Sequence, residues 1–397
     1  MRNIYLDYAA TTPVDPEVFR AMKPYFAEQW GNAGSLHYFG QKAMAVLDES
    51  REKIAKAIGA DFREIIFTSS ATEANNLVLR GVVGAARKIF SQGVSGATPK
   101  SYPSKKNSAP PYRIIIGSIQ HESILETARD LEKDGVEVVY LPVNKEGIVD
   151  LKKLEKSLNE RTILVSVMYA NNEIGTIQSI TEISKIVRDF KNSKHEARNP
   201  KQIQSFKTRI QNKKVSNFEF RISDLPAVYP LVHTDAVQAF QFLNCDVSDL
   251  GVDLMTLSAH KIYGPKGIGL LYRRINNAEL RIKNKKDEFI SPILTGGGQE
   301  FGLRSGTENI PSIVGFAKAV ELAVKNREKE TKRISALRDY FLKGLKKIRP
   351  DVQLTGHPQK RLPNILNIYF MARAGRPGNS AEDLLVKFDL AGVAVSA

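Results

Sequence analysis

Short runs rich in β-branched residues alternate with helical patterns along most of this chain. The alternation predicts an α/β fold in which helices cover a mainly parallel sheet. Seven runs are strand candidates: EIIFTS, YRIIIGS, VEVVYLP, TILVSVMYA, PLVHTDA, LMTLSA and GIGLLYR. Ligands of such sheets bind beyond the carboxyl ends of the strands, so the polar residues that follow these runs are the candidates for chemistry.

The chain is long enough for more than one domain. Its 397 residues, 42% of them hydrophobic, can bury a large core and form one large and one smaller domain. An amphipathic helix over about 311–326 is expected to lead into the second domain, followed by another helix over 331–348 and the strand NILNIYF. The predicted boundaries are 14–327 for the large domain, and 1–13 with 328–397 for the smaller one.

The formal net charge of +15 is concentrated in two segments, at about 87–113 and 191–224. The first segment has six Lys or Arg and no acid up to Arg113, and the second has nine Lys or Arg against two Glu up to Arg221. Both are polar with little apolar periodicity, which is typical of solvated surface insertions. We therefore expect no nucleic-acid partner for the core function.

Several classes of protein are excluded by simple counts. One cysteine, Cys245, allows neither an intramolecular disulfide framework nor a CxxC metal or redox site, and no zinc-ligand spacing occurs, so no metal is expected. The first residues carry no apolar segment behind basic residues, and no run approaches 18 apolar residues. The prediction is a soluble, cytoplasmic protein without a membrane partner.

Six polar clusters follow the predicted strands, and together they supply the groups that a pyridoxal 5′-phosphate (PLP) enzyme needs. They are TSSATEANN, IQHESILE, YANNEIGT, HTDAVQAF, SAHKIYGPKGIG and GGGQEFGLRSGTEN. A lysine must bond to the cofactor aldehyde beside phosphate-binding groups. Lys261 is predicted for this role, because it precedes the glycine-rich GPKGIG and follows Ser258 by three residues. The competing Lys266 is interpreted as structural.

A carboxylate is needed against the pyridine nitrogen, because a protonated ring accepts electrons better. Asp235 ends the run PLVHTD and is predicted for this role. Gln238, three residues on, can donate to the phenolic oxygen of the ring. The alternative for Asp235 is a simple cap of the next helix.

The phosphate dianion suits a helix N-terminus, where free N–H groups favour negative charge. Ser69, Ser70 and Thr72 open a predicted helix, so the amides of Ala71 and Thr72 and the Thr72 hydroxyl are candidate donors. Ser or Thr followed by Glu is also a common plain helix start, which remains the alternative.

Two histidines and one asparagine complete the candidates. His121 could stack on the cofactor ring and shuttle protons near neutral pH, although a structural role is the alternative. Asn171 in YANNEIG is a candidate for the phenolic oxygen. His260, next to Lys261, could contact phosphate or simply pack.

These motifs resemble those of the cysteine desulfurases, which are class V, fold-type I PLP enzymes. The resemblance runs the whole length of the chain: YLDYAATTPVDP, GNAGSLHYFGQKA, TSSATEANN, the His of QHES, NNEIGTIQ, HTDAVQ, SAHKIYGPKGIG and GGGQEFGLRSGTEN occur in the family's order. It implies a fold-type I transferase: a large domain with a mainly parallel seven-stranded sheet, and a smaller α/β C-terminal domain. The implied PLP site consists of Ala71, Thr72, His121, Asn171, Asp235, Gln238, Ser258, His260 and Lys261.

The resemblance also implies an activity, with Lys261 and His121 as catalytic residues. L-Cysteine would be converted to L-alanine, with the sulfur left on an enzyme cysteine as a persulfide. A sulfur acceptor or scaffold protein of iron–sulfur cluster assembly or tRNA thiolation would then receive it. The implied assembly is a homodimer in which Thr307 of RSGT reaches the neighbouring subunit's phosphate.

Two departures from the family pattern limit these expectations. Ser70 stands where the family usually has Gly, which could alter the phosphate turn. The final residues, FDLAGVAVSA, resemble the strand that precedes the family's sulfur-accepting cysteine loop and its substrate-carboxylate arginine. Because Cys245 is interpreted as structural, we expect the 397 residues to bind PLP but to transfer little or no sulfur.

Two other readings stay open at this point. One is another class V activity, such as a selenocysteine lyase or an aminotransferase that uses the same lysine and aspartate. The other is an inactive PLP-binding or basic interaction module.

Overall fold

The computed structural model describes residues 3–93, 112–196, 229–275, 289–370 and 380–396. The two basic segments expected as surface insertions lie for the most part outside these residues, so that expectation stays a prediction. The first residues of each segment are described and helical, because they form the C-terminal ends of the helices Ala71–Gly93 and Ile180–Glu196.

The largest sheet of the described residues has seven strands. The strands of the structure are β1 (Ile4–Tyr5), β2 (Ile65–Thr68), β3 (Arg113–Gly117), β4 (Glu137–Leu141), β5 (Thr162–Ser166), β6 (Leu231–Asp235), β7 (Leu254–Ser258), β8 (Gly269–Arg273), β9 (Val352–Leu354), β10 (Ile368–Phe370) and β11 (Val393–Ala394). The large sheet has the order β2-β8-β7-β6-β5-β3-β4. Only β8 runs antiparallel to its neighbours in this sheet. The predicted mainly parallel, seven-stranded sheet is confirmed.

Helices connect these strands. They are α1 (Pro16–Met22), α2 (Pro24–Ala27), α3 (Tyr38–Ala57), α4 (Ala71–Gly93), α5 (Glu122–Lys133), α6 (Leu151–Ser157), α7 (Ile180–Glu196), α8 (Val247–Leu250), α9 (Ile310–Ile348) and α10 (Ala381–Leu390). Among the described residues, no helix combines the length and the apolar composition that crossing a membrane requires.

Both faces of the large sheet are buried, because neighbouring residues of a strand point to opposite sides. Ile66 and Ile114 pack on one side with residues of α4 and α5. Ile65 and Ile115 pack on the other side with residues of α1, α3 and α9. This two-sided burial explains why the strands read as nearly continuous apolar runs.

Helix α9 corrects one expectation. The two helices predicted over 311–326 and 331–348 form one helix of 39 residues, about 58 Å long at 1.5 Å per residue. Its buried residues all lie between Ile310 and Ala323, so the apolar periodicity stops where the helix leaves the core. The polar stretch beyond contains no Pro and a single Gly, Gly344, and it is rich in Lys, Glu and Arg, which are good helix formers, so the helix continues.

Two small sheets lie outside the large one. β1 pairs in parallel with β11, and β9 pairs with β10, which includes part of the predicted strand NILNIYF. The first described residues of the chain therefore pair with residues near its last described ones. The boundary at 327/328 falls inside α9, and the division into domains stays a prediction.

Candidate active site

Several of the polar clusters meet at one edge of the large sheet. Asp235 is the last residue of β6, and Ser258 is the last residue of β7. The register pairs Gly269, the first residue of β8, with both Thr68 and Ser258. The beginning of α4, which follows β2, therefore lies close to Ser258 at the carboxyl ends of the parallel strands, where ligands of such sheets bind.

Asp235 is a buried carboxylate with two hydrogen-bond donors. Asn75 Nδ2 donates to its Oδ2 at 2.9 Å, and the Val237 amide donates to its Oδ1 at 3.0 Å. Burial raises the pKa of Asp235, while these donors and the nearby His121 and Lys261 side chains act in the opposite direction. The Asp235 carboxylate thus lies close to His121 and Lys261, two residues predicted to act with it on the same cofactor.

Lys261 is held by backbone carbonyls. Its Nζ donates to the carbonyl of Ala9 at 2.5 Å and to that of Ala10 at 2.7 Å. Burial lowers the pKa of the Lys261 amine, and the negative charges of Asp7 and Asp235 oppose this effect. A lysine with a lowered pKa has more free amine at neutral pH, which favours bonding to an aldehyde.

The segment 9–12 covers several of the candidate residues. Gln238 Nε2 donates to the Ala9 carbonyl at 2.9 Å. The Thr12 amide and hydroxyl both donate to the His260 carbonyl, at 3.0 and 2.9 Å. This segment connects Gln238, His260 and Lys261, and no role was predicted for its residues individually.

His260 faces the same segment. Its Nδ1 lies 3.2 Å from the Thr11 hydroxyl. Burial, followed by the charges of Lys261 and Lys266, lowers the pKa of His260 to about 4. His260 is therefore neutral at physiological pH and can exchange hydrogen bonds without carrying charge.

The first turn of α4 is built by serines and by close contact with β8. Ser70 Oγ accepts from the Glu73 amide at 3.1 Å, as a helix cap does, and its carbonyl accepts from the Thr68 hydroxyl at 2.9 Å. A Cβ on Gly269 would lie 2.6 Å from the Ser70 carbonyl carbon and 2.8 Å from the Ala71 nitrogen. Glycine is therefore required at 269, and Ser70 caps the start of α4.

His121 is the N-cap of α5, and its side chain is exposed at the sheet edge. Its Nδ1 accepts from the Ser123 amide at 3.1 Å and lies 2.9 Å from the Ser123 hydroxyl. That hydroxyl accepts from Asn75 Nδ2 at 2.8 Å. Because Asn75 also donates to Asp235, one short network connects His121 with the buried carboxylate.

Asn171 lies in a tight turn after β5 and is buried. Its Oδ1 accepts from the Glu173 and Ile174 amides at 3.0 and 2.8 Å, and its Nδ2 donates to the Ile119 carbonyl at 2.9 Å. The Asn171 side chain therefore joins its own turn to the loop that precedes His121. It makes no hydrogen bond to the other candidate residues in the described part of the chain.

Two ion pairs join the segment 296–309 to the large sheet and its helices, one of them at the site. Arg304 Nε donates to Glu73 in the first turn of α4 at 2.9 Å. Glu300 is paired with Arg51 at 2.8 Å and accepts from the Phe67 amide in β2. Thr307 is exposed, so it is free to contact a second subunit as the resemblance implies.

Comparison with known proteins identifies the family. The family model described as aminotransferase class-V matches residues 4–93, 98–194 and 222–397. Over 395 residues the chain is 41% identical to a cysteine desulfurase IscS of Dictyoglomus turgidum, and the match covers 100% of this chain and 81% of that protein. The chain belongs to the cysteine desulfurases.

Solved structures agree with this assignment. A NifS-like protein superposes with a TM-score of 0.76 at 33% identity, covering 99% of this chain and 87% of that one. The structure titled SspA in complex with cysteine has a TM-score of 0.60 at 33% identity, covering 80% of this chain and 72% of that one. The predicted family and its fold-type I architecture are confirmed.

Two residues that could compete for a desulfurase role lie apart from the network. Lys266 is exposed. Cys245 is buried in the apolar core, and burial raises the pKa of its thiol to about 12. A thiol in this state is neither accessible nor ionised at neutral pH, in keeping with the structural reading of Cys245.

The sequence missed the residues that connect the candidates to one another. Asn75 and Ser123 occur inside the motifs TSSATEANN and QHES, but buried asparagine and serine side chains carry no signal of their partners. The Ala9 and Ala10 carbonyls are backbone groups and give no side-chain signal at all. The available signal was the motif YLDYAATTPVDP. It resembles a motif of the family, although it belongs to no predicted strand or helix.

Proposed function

We propose that the chain is a PLP-dependent cysteine desulfurase, an enzyme that converts L-cysteine to L-alanine and leaves the sulfur on a cysteine thiol as a persulfide, and that these 397 residues alone transfer little or no sulfur because their one cysteine, Cys245, is buried. The observation that carries the proposal is the Lys261 amine, with its lowered pKa, close to the buried carboxylate of Asp235 at the ligand-binding edge of the sheet. Membership of the desulfurase family and the similarity to SspA in complex with cysteine support L-cysteine as the substrate.

The residues at this edge fit PLP. Because Gly269 has no Cβ, β8 packs directly against the first turn of α4. The N–H groups and the dipole of that turn favour a phosphate dianion. The proposed assignments are these: Ala71, Thr72, Ser258 and His260 for the phosphate, Asp235 for the pyridine nitrogen, Gln238 and Asn171 for the phenolic oxygen, His121 for the ring face, Lys261 for the aldehyde, and Thr307 for the phosphate of a second subunit.

When bound, PLP supplies an aldehyde that bonds to amines and an aromatic ring that accepts the electrons released at the substrate Cα. Lys261 provides the amine that holds the cofactor, and its freed Nζ takes the proton from the substrate Cα. Asp235 keeps a proton at the pyridine nitrogen, because its buried negative charge is stabilised by that partner. His121, exposed at the same edge, exchanges a proton with the substrate at its Nε2.

The sulfur acceptor is a cysteine other than Cys245. The Cys245 thiol is 1% exposed and its pKa is about 12, so it cannot attack sulfur bound at the sheet edge. We propose that the persulfide forms on an accessible thiol and that a sulfur-acceptor or scaffold protein receives it. A Cys245→Ser variant is then expected to keep whatever alanine formation the unchanged protein has.

The subunits are proposed to form a homodimer. Phe26, Trp30, Leu36, Tyr38 and Phe39 are all more than half exposed and lie near one another in the sequence. An exposed group of large apolar side chains marks an interaction surface. Sedimentation of the unchanged chain and of a Trp30→Ser, Leu36→Ser double variant tests this, with a monomeric unchanged chain contradicting the proposal.

The first chemical step can be tested without a sulfur acceptor. The PLP-loaded chain is incubated with L-cysteine or L-alanine in D2O, and deuterium at the amino-acid Cα is measured by mass spectrometry, with alanine formation followed in parallel. We expect exchange with L-cysteine that disappears in Lys261→Ala. No exchange with L-cysteine, or undiminished exchange in Lys261→Ala, would overturn the proposal. Preference for selenocysteine would instead favour a lyase.

A further inference from the structure

We propose that Asn75 and Ser123 are positioning residues that hold His121 in a single tautomer, with its proton on Nε2, and that join its ring to the carboxylate of Asp235. The consequence for catalysis rests on the proposed function, but the hydrogen-bond geometry does not. Neither Asn75 nor Ser123 belongs to the cofactor-binding residues proposed above, and both are buried behind them.

Asn75 lies at the centre of the network and is fully buried on α4. Its Nδ2 donates one proton to Asp235 Oδ2 at 2.9 Å and the other to Ser123 Oγ at 2.8 Å. An ionised carboxylate only accepts hydrogen bonds, so the amide must turn its NH2 group toward Asp235. Both protons of that group are then used.

Ser123 transmits this orientation to the histidine. Because its hydroxyl oxygen accepts from Asn75, its single hydroxyl proton is directed to His121 Nδ1, 2.9 Å away. The Ser123 backbone amide also donates to the same Nδ1, at 3.1 Å. A backbone N–H can only donate, so Nδ1 carries no proton and the neutral ring must carry it on Nε2.

The orphaned oxygen of Asn75 supports a role beyond stability. Asn75 Oδ1 is buried and has no hydrogen-bond partner among the described residues. Leaving a buried acceptor unpaired costs about 1–3 kcal/mol. An apolar side chain of similar size would avoid this cost, so the asparagine is better explained by its two donated hydrogen bonds than by packing.

The tautomer decides what His121 can do. Nδ1 is occupied by two donors, which leaves Nε2 as the only nitrogen able to reach a bound substrate. Neutral His121 therefore presents an N–H and acts first as a hydrogen-bond or proton donor. It accepts a proton at Nε2 only after that proton has left. This leaves Lys261 Nζ as the group that takes the first proton from the substrate Cα.

The contact between α4 and α5 also offers a matched control. The Thr127 hydroxyl has one proton to donate and lies 3.0 Å from Asn76 Oδ1 and 2.9 Å from the Ser123 carbonyl. Thr127 is buried on α5 like Ser123, and Asn76 lies on α4 next to Asn75. Thr127→Val therefore removes a hydroxyl from the contact between the same two helices without changing the side-chain contacts of His121 or Asp235.

The test is 15N NMR of histidine-labelled, cofactor-free protein at a pH where the imidazoles are neutral, with a His121→Gln variant to assign the resonance. We expect His121 Nδ1 at the position of an unprotonated nitrogen and Nε2 at that of a protonated one. Ser123→Ala and Asn75→Leu should move the two resonances toward each other, because the second tautomer becomes populated. Ser123→Thr, which keeps the hydroxyl, and Thr127→Val should not.

The PLP-loaded variants give a second readout. Ser123→Ala is expected to lower the Cα exchange rate at saturating L-cysteine about 10-fold with little change in KM, as loss of an outer hydrogen-bond partner typically does. A protonated Nδ1 in the unchanged protein, or resonances that are the same in Ser123→Ala, Asn75→Leu and Thr127→Val, would overturn the inference. If the spectra are as expected but the PLP-loaded protein does not exchange the Cα proton of L-cysteine, the proposed function is overturned and the hydrogen-bond network is still supported.

Discussion

Two pairs of opposite charge in this desulfurase, one buried and one partly buried, find their hydrogen-bond partners in different ways. Arg51 and Glu300 face each other directly, with two hydrogen bonds of 2.8 Å and side chains that are 4% and 2% exposed. No hydrogen bond joins Asp235 to Lys261, although both lie in the described part of the chain. Asp235 accepts from Asn75 and a backbone amide, and Lys261 donates to two backbone carbonyls.

The difference shows what each pair is for. A buried bidentate pair satisfies both charges and holds two elements together, here α3 and the segment that carries Thr307. Buried charges that lack a direct partner have shifted pKa values, and such shifts are typical of reactive groups. Burial lowers the pKa of Lys261 and raises the pKa of Asp235, in keeping with the reactive roles proposed for this pair.

The largest expected effect comes from removing the reactive amine. Lys261→Met should lower Cα deuterium exchange of L-cysteine by about 10⁴-fold or more, because the variant has neither the amine that holds the cofactor nor the base. Lys266→Met, at an exposed lysine of the same glycine-rich segment, is the matched control and should exchange at the unchanged rate. Equal loss in the two variants would contradict the assignment of Lys261.

Breaking the direct pair should act on stability instead. Arg51→Met leaves Glu300 buried without its partner and should lower the free energy of unfolding by about 3–5 kcal/mol, measured by urea titration. Arg63→Met removes the exposed partner of Asp61, whose pair is 43% and 45% exposed, and should change the free energy of unfolding far less, because water screens an exposed pair. If both variants lose a similar free energy of unfolding, burial does not determine how much an ion pair contributes to stability in this protein.

The pH dependence of stability should distinguish carboxylates whose pKa values are shifted in opposite directions. Because the pKa of Asp235 is raised on folding, its ionisation destabilises the cofactor-free protein as pH rises above about 3.9, the unfolded value. Asp235→Asn removes this loss. Between pH 4 and 7, the free energy of unfolding of the variant minus that of the unchanged protein should therefore increase with pH, even if the substitution also changes stability by an amount that does not depend on pH.

Asp61→Asn is the control with the opposite sign. The hydrogen bond from Arg63 lowers the pKa of Asp61, so its ionisation stabilises the fold, and the stabilisation is lost as pH falls. The variant should therefore lose stability relative to the unchanged protein as pH rises through the same range. Parallel behaviour of the two variants in thermal unfolding at several pH values would contradict the reading of Asp235.

The smallest effect expected is a shift in the pH profile of the Lys261 amine. Trapping of Lys261 by pyridoxal and borohydride, followed by mass spectrometry, should reach half its maximal rate below pH 10.5, the ordinary pKa of lysine. Asp235→Asn should move this midpoint lower still, because the Asp235 charge raises the pKa of the amine. An unchanged midpoint would show that the two charges do not interact.

Much of the fold and part of the site were readable from local patterns. Most of the seven strands are largely apolar runs, because they are buried on both faces, and such burial leaves a local signature; the edge strand β4 is only partly buried. Lys261 and Asp235 were found because they end or follow such runs. The continuity of α9 was missed, because its apolar periodicity ends at Ala323 while its helical propensity does not.

Chemical identity was set by the sequence itself: which strands exist, which polar residues follow them, and which lysine and carboxylate are present to react. Tertiary structure alone decided which of those groups touch. Asn75 lies 48 residues from Ser123 and 160 from Asp235, and Lys261 lies 252 from the Ala9 carbonyl that holds it. Hydrogen bonds and desolvation act over a few ångströms of space, so the pKa shifts and the tautomer of His121 exist only after the chain has folded.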